Sequence, residues 1–190
     1  MVTKVDRSCA LLIIDMQNDF MPNGSLPVPG SDKIIPVLNS YMDIFTSNKL
    51  PIFATRDWHP PNHISFKQRG GMWPMHCVKD TIGAEFPSEL KIRRSTTVIS
   101  AGYEYDKLGY SGFEGTELAR KLEQRQIKRL LVGGVATDYC VKSTVLDALS
   151  LGFDIVVLQD AVKAIKNGDA AMKEMQKNGA KKATIDGILA

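Results

Sequence analysis

The chain predicts an α/β fold, a doubly wound and mostly parallel sheet with helices on both faces. Three observations carry that expectation. Short apolar runs bearing β-branched residues alternate with amphipathic stretches, the βαβ rhythm. The runs are continuously apolar, as strands buried on both faces are. The residues with chemical potential fall just beyond the ends of these runs, where such sheets open their ligand crevice.

The strands are expected at CALLIIDM (9–16), PIFATRD (51–57), TTVIS (96–100), KRLLVGG (128–134) and FDIVVLQD (153–160), with ATI (183–185) as a last edge strand. Helical patterns occupy 31–48, 115–126, 137–151 and 168–178. Ser31 or Asp32 is the expected cap of the first, Thr137 or Asp138 caps the third, and Gly152 stops it. The segment 58–89, rich in Gly, Pro and His, is too long for a plain connection and predicts a binding loop.

At 190 residues the chain is expected to form one domain, 1–190, able to bury a core without disulfides or a structural metal. The formal charge is +3 and the cations are scattered, apart from Lys91, Arg93, Arg94 and Lys181, Lys182, so no nucleic-acid partner is expected. No apolar run has membrane-spanning length and no cleavable leader precedes the first strand, so no membrane partner and a cytoplasmic location are expected. Three cysteines far apart argue against a disulfide framework.

Two of the three histidines lie in TRDWHPPNHISF and the third in WPMHCV. Asp57 and His59, one residue apart in extended chain, project to one side, and His76 can return from the far end of the loop. A carboxylate with imidazoles suits Zn²⁺, Fe²⁺ or Mn²⁺, and three protein ligands leave positions open. His63 is a candidate fourth ligand or a group that orients the others. The bland alternative, loop histidines satisfied by backbone, is weakened by their clustering at a strand end.

Cys140, in GGVATDYC, stands where a strand ends and a helix begins. A helix N-terminus can lower a thiol from about 8.5 into the range of about 3.5 to 7.5, which suits a nucleophile. Gly133, Gly134 and Ala136 let backbone N–H groups approach a ligand as an oxyanion hole. Asp15 closes an apolar strand, where a carboxylate's pKa rises, as a proton shuttle requires. Phe20 and Trp73 are loop aromatics on which a planar ligand could stack. Cys9 reads as core, and Cys77 as packing that a soft metal could recruit.

Together, DMQNDF, TRDWHPPNHISF, WPMHCV, YSGFEGTEL and GVATDYC resemble the nicotinamidase/pyrazinamidase family of the isochorismatase-like hydrolases, over nearly the whole chain. The resemblance implies a six-stranded, mostly parallel sheet and an amidase that converts nicotinamide, and pyrazinamide, to the acid and ammonia in NAD salvage. It implies that Asp15 activates Cys140, which attacks the amide carbon and forms a thioester. The metal, zinc ahead of iron or manganese, lies on Asp57, His59 and His76 and receives the pyridine nitrogen. Phe20 and Trp73 hold the ring, and the N–H groups of Ala136 and Cys140 form the oxyanion hole beside a cis peptide between Val135 and Ala136. A homodimer is common in the family.

One position departs from the pattern. Where the family has a catalytic lysine, this chain has Ala101. An ammonium there would stabilise thiolate and carboxylate, and its loss implies a fall of about 10²- to 10⁴-fold in rate. Lys107 is six residues on, in a stretch matching a variable loop, and is not expected to substitute. Ala101 is either an introduced inactivating replacement, which the otherwise intact site favours, or a mark of natural loss. Two alternatives follow: another amidase of the superfamily, or a protein that binds nicotinamide or nicotinate without turnover.

Overall fold

The computed structural model describes residues 3–189. Twelve regular elements follow in order, with short 3₁₀ turns between them: β1 (Thr3–Lys4), β2 (Cys9–Ile14), α1 (Ile35–Ser47), β3 (Ile52–Asp57), β4 (Thr97–Ala101), α2 (Leu118–Gln124), β5 (Arg129–Val135), α3 (Lys142–Ser150), β6 (Asp154–Lys163), α4 (Gly168–Lys177), β7 (Lys181–Ala183) and β8 (Ile188–Leu189). Six strands form one sheet in the order β4-β3-β2-β5-β6-β7, and every pairing in it is parallel. The expected six-stranded doubly wound sheet is therefore present, wholly parallel. A second, two-stranded pairing of β1 with β8 was not expected from the sequence.

β2 sits at the centre, and all six residues of its CALLII run are buried, the reason the run shows no alternation. Successive side chains feed two cores. Leu11 and Ile13 join the core under α1, with Leu38, Tyr41, Met42 and Phe45, while Leu12 and Ile14 join the one under α2 and α3, with Leu118, Leu122 and Val145. Truncating a buried aromatic such as Phe45 to alanine would cost about 3–5 kcal/mol.

The element ends differ from expectation in instructive ways. The last edge strand of the six-stranded sheet is Lys181–Ala183, and Ile185–Gly187 is a 3₁₀ turn. Ser31 does not cap: its Oγ donates to the Phe20 carbonyl at 2.7 Å, tying the loop after β2 to the start of α1. Asp138 does not cap either; its carboxylate accepts the N–H groups of Ile165, Lys166 and Asn167 at 2.9–3.0 Å. Residues Thr137–Val141 form a π-helical turn ahead of α3.

The chain runs outward from β2 through β3 to β4, then returns to β5 beside β2 and runs outward through β6 to β7. The reversal lies between β2 and β5, and the carboxyl ends of these strands are where such sheets place their ligand crevice. Gly134 makes that juncture possible. Its φ is +120°, and a Cβ would lie 2.1 Å from the Ile14 carbonyl oxygen.

Candidate active site

Everything singled out at strand ends converges on this crevice. Asp15 follows β2 at φ +47°, and its backbone N–H donates to Thr55 Oγ1 while the Thr55 hydroxyl donates to Asp15 Oδ1 at 2.5 Å. Cys140 comes from the π-turn after β5, on the far side of the reversal. Asp57 ends β3. Ligand atoms of Asp15, Asp57 and Cys140 lie within 4.8 Å of one another, and all three residues are buried.

Asp57 is shared with a second group. One ligand atom each from Asp57, His59 and His76 also falls within 4.8 Å of the others. His59 Nδ1 lies 2.7 Å from the Gly102 carbonyl and His76 Nδ1 lies 2.8 Å from the Pro74 carbonyl, so each carbonyl accepts the Nδ1 proton and leaves Nε2 as a lone pair. His59 Nε2 is 3.4 Å from Asp57 Oδ2. Two imidazole nitrogens and a carboxylate, each fixed from behind, are a donor set that fits a divalent cation. Gly102 is required here: at φ +60°, any Cβ would fall 2.5 Å from the His59 ring.

His63 stands outside that three-donor set. Its ring stacks on His59 at 4.0 Å between centroids, Nδ1 lies 2.7 Å from Ser65 Oγ, and Nε2 is buried with no partner. Burial holds the pKa of His76 low and brings His63 down to about 4, so both are neutral imidazoles. At His59 the Asp57 carboxylate and the Gly102 carbonyl outweigh burial and the pKa rises. Burial would raise Asp57, but His59, His76 and His63 together hold it low.

The side that carries the thiol has the opposite electrostatics. Burial first, then the Asp57 carboxylate, push Asp15 up to about 8 against the pull of Thr55 and Cys140. Burial, Asp15 and Asp57 also raise the Cys140 thiol well above its usual range, so the lowered pKa expected from a helix N-terminus is not realised. Burial, together with two carboxylates, outweighs the partial charge of one helix end. Among the described residues no lysine or arginine forms an ion pair with this group. Ala101 ends β4 in register with Asp57, 3% exposed and on the face that carries Ile99 into the core beside Cys140. A lysine there would point toward the acids.

Phe20 is buried and its ring lies 5.8 Å from that of His76. Trp73 is half-buried on the other flank, edge-on to Tyr139 at 4.9 Å, with Nε1 donating to Tyr110 Oη at 2.9 Å. Tyr110 and Tyr139 were not singled out from the sequence; their place inside YSGF and TDYC was the available signal. The peptide between Val135 and Ala136 is cis. Cys9 is fully buried, and Cys77, also fully buried, lies in the core outside the three-donor set.

A parallel α/β sheet carrying a buried acid and thiol at its reversal point suits a hydrolase, and the chain belongs to the isochorismatase family, whose Isochorismatase domain matches residues 9–186. It is 35% identical to the nicotinamidase of Acinetobacter baylyi over 98% of this chain and 97% of that one. The pyrazinamidase of Pyrococcus horikoshii, solved in complex with zinc, is 50% identical with a TM-score of 0.91, over 94% of this chain and 99% of that one. PnC1 from L. infantum, solved in complex with nicotinate, superposes with a TM-score of 0.91 at 33% identity over the whole of both chains.

Proposed function

We propose that this chain is a nicotinamidase, an amidohydrolase that converts nicotinamide, and pyrazinamide, to the acid and ammonia. The carrying observation is the pair of donor groups that share Asp57, one suited to a metal and one to acyl transfer. Likeness to nicotinamidases and to a nicotinate complex along nearly the whole chain supports it.

Asp15 takes the thiol proton as Cys140 Sγ attacks the amide carbon. The N–H groups of Ala136 and Cys140 hold the oxyanion. Asp15 returns the proton to the nitrogen, ammonia leaves, and a thioester remains. Water adds to the thioester, giving its proton to Asp15, and the acid departs as the thiol re-forms. Phe20 and Trp73 flank the aromatic ring. Asp57, His59 and His76 would hold a divalent metal, zinc by preference and iron or manganese as alternatives, with His63 in support. Such an ion supplies a Lewis-acidic anchor for the pyridine nitrogen. We take residues 1–190 as a single domain, a homodimer as the assembly, the cytoplasm as the location and NAD salvage as the role. No helix among the described residues is long and apolar enough to cross a membrane.

Ala101 bears on rate. With Asp15 and Cys140 both inclined to keep their protons, little of the acid is ionised to receive the thiol proton and the thiol yields it reluctantly, and a cation at position 101 would lower both. The same observation favours a second reading, a nicotinamide- or nicotinate-binding protein without turnover. Ammonia release from nicotinamide by the chain and by Ala101→Lys, each with metal content measured, separates the two. Turnover by Ala101→Lys that vanishes with an added Cys140→Ala supports the amidase; tight binding with no ammonia from either chain supports the second reading.

A further inference from the structure

The run DMQNDF supplies Asp15 and Phe20 to the site, but its other polar residues have no part in the chemistry described. Gln17 is fully buried and its side chain makes three hydrogen bonds. Its Nε2 donates to the Asp57 carbonyl at 2.7 Å and to the Ala84 carbonyl at 2.9 Å, and its Oε1 accepts the Asp57 N–H at 2.8 Å. The sheet explains why a side chain is needed there. Pairing between β2 and β3 ends at Ile13 with Ala54, while β3 continues to Asp57 against Ala101 of β4. In a strand the N–H and C=O of one residue point to the same side, so those of Asp57 face the place β2 has vacated. The Gln17 amide stands in for the missing strand and continues the ladder for one residue.

Asp19 does the same for the far ligand. Its Oδ2 accepts the Cys77 N–H at 2.7 Å, one residue after His76. Cys77 has φ +45°, a left-handed conformation that cysteine seldom adopts, so this segment needs an external restraint. Gly83 leaves room for the carboxylate, since a Cβ there would come within 2.2 Å of Oδ2. Asn18, between the two, turns outward and donates to the Ile82 carbonyl, away from either ligand segment.

We propose that Gln17 and Asp19 are positioning residues for the metal centre, pinning the backbone at Asp57 and beside His76 so that the three donors converge before the ion arrives. The proposal rests on the metal assignment made above. It explains why one short loop carries both the acid of the reaction and two side chains that reach out to the backbone at Asp57 and at Cys77. Removing such outer supports typically lowers metal affinity by about 10- to 100-fold.

The test is the zinc affinity of the purified metal-free protein, by competition with a chromogenic chelator, alongside its thermal unfolding and the visible absorption of its cobalt(II) form. Gln17→Leu and Asp19→Ala are expected to weaken zinc binding by about 10- to 100-fold and to alter the cobalt bands. Asn18→Ala is expected to change neither. Should Gln17→Leu not fold, Gln17→Glu, which keeps size and acceptor but lacks the amide donors, takes its place. Folded Gln17 and Asp19 variants with the parent's affinity and cobalt spectrum would overturn the proposal, as would an equal loss in Asn18→Ala, which would mark a general loosening of the loop. A parent that binds no zinc, iron or manganese would instead remove the metal assignment, and this proposal with it.

Discussion

The two donor groups that meet at Asp57 are unequally furnished. On the histidine side every donor is held from behind: His59 by the Gly102 carbonyl, His76 by the Pro74 carbonyl, and Asp57 by its clamped backbone. On the thiol side Asp15 has the Thr55 hydroxyl, and buried Ala101 stands where a cation would balance two acids and a cysteine. One half is complete in geometry and charge, while the other is complete in geometry alone. The contrast teaches that backbone placement and charge balance are separate requirements: substituting one side chain removes the second and leaves the first.

The sharpest way to break that comparison is at position 101. Ala101→Lys is expected to raise the rate of ammonia release from nicotinamide by about 10²- to 10⁴-fold, and Ala101→Met, of similar length without charge, to leave it where it is. A gain with methionine would show that shape, not charge, is what the thiol side lacks.

Next in size is removal of the histidine side. In the Ala101→Lys chain, His76→Ala or exhaustive chelation is expected to lower kcat/KM by about 10²-fold, because a ring no longer anchored leaves the amide misplaced over the thiol. Alkylation of Cys140 by iodoacetamide, which needs no ring anchor, is expected to continue at the same rate. A parallel loss of alkylation would mean that the halves are not separable.

A smaller effect is expected at Thr55, the one side chain that holds the Asp15 carboxylate from β3. In the Ala101→Lys chain, Thr55→Val should lower kcat by about tenfold, the worth of one hydrogen bond to a charged group, with KM unchanged and the rate restored by Thr55→Ser. An equal loss in Thr55→Ser would point to packing instead.

The smallest effect concerns stability. Burial alone would raise Asp138, but the N–H groups of Asn167, Ile165 and Lys166 hold its pKa below 3.8. A carboxylate whose pKa is lower folded than unfolded stabilises the fold above the unfolded value, and that contribution is lost as pH falls through the folded value. Asp138→Ala is therefore expected to lower stability by about 1–2 kcal/mol at pH 7, and the charge-linked part of that difference to fade below pH 3.8 in denaturant unfolding. A difference that stays constant with pH would assign the whole effect to packing of the turn that carries Cys140.

What could be read from the sequence was what period and order encode. The strands announced themselves because β2, β3, β5 and the first half of β6 are almost continuously buried, while edge strand β4 shows a partly exposed pattern, and the crevice followed from the rule that ligands lie beyond strand ends. Asp15, Asp57, His59 and Cys140 could be singled out for the same reason, each standing at or just past such an end, and His76 because it shares the long loop with the other two histidines. What escaped was long-range hydrogen bonding. Ser31 and Asp138 occupy positions where a local rule predicts a cap, yet their side chains bond to Phe20 and to residues 165–167, partners that only the tertiary fold brings near. The thiol's electrostatics were missed likewise, because the helix end is local in sequence and the two carboxylates are not.

The two cores described above also divide the walls of the pocket. Phe20 belongs to the packing under α1, Cys140 to the packing under α2 and α3, and Tyr139 touches both. The wall that carries Phe20 and the thiol of Cys140 therefore rest on separate packing. Under the proposed function, the aromatic wall can be exchanged, and with it the shape of the amide accepted, without disturbing the footing of the thiol. Tyr139 is the place where such drift would first be felt on both sides at once.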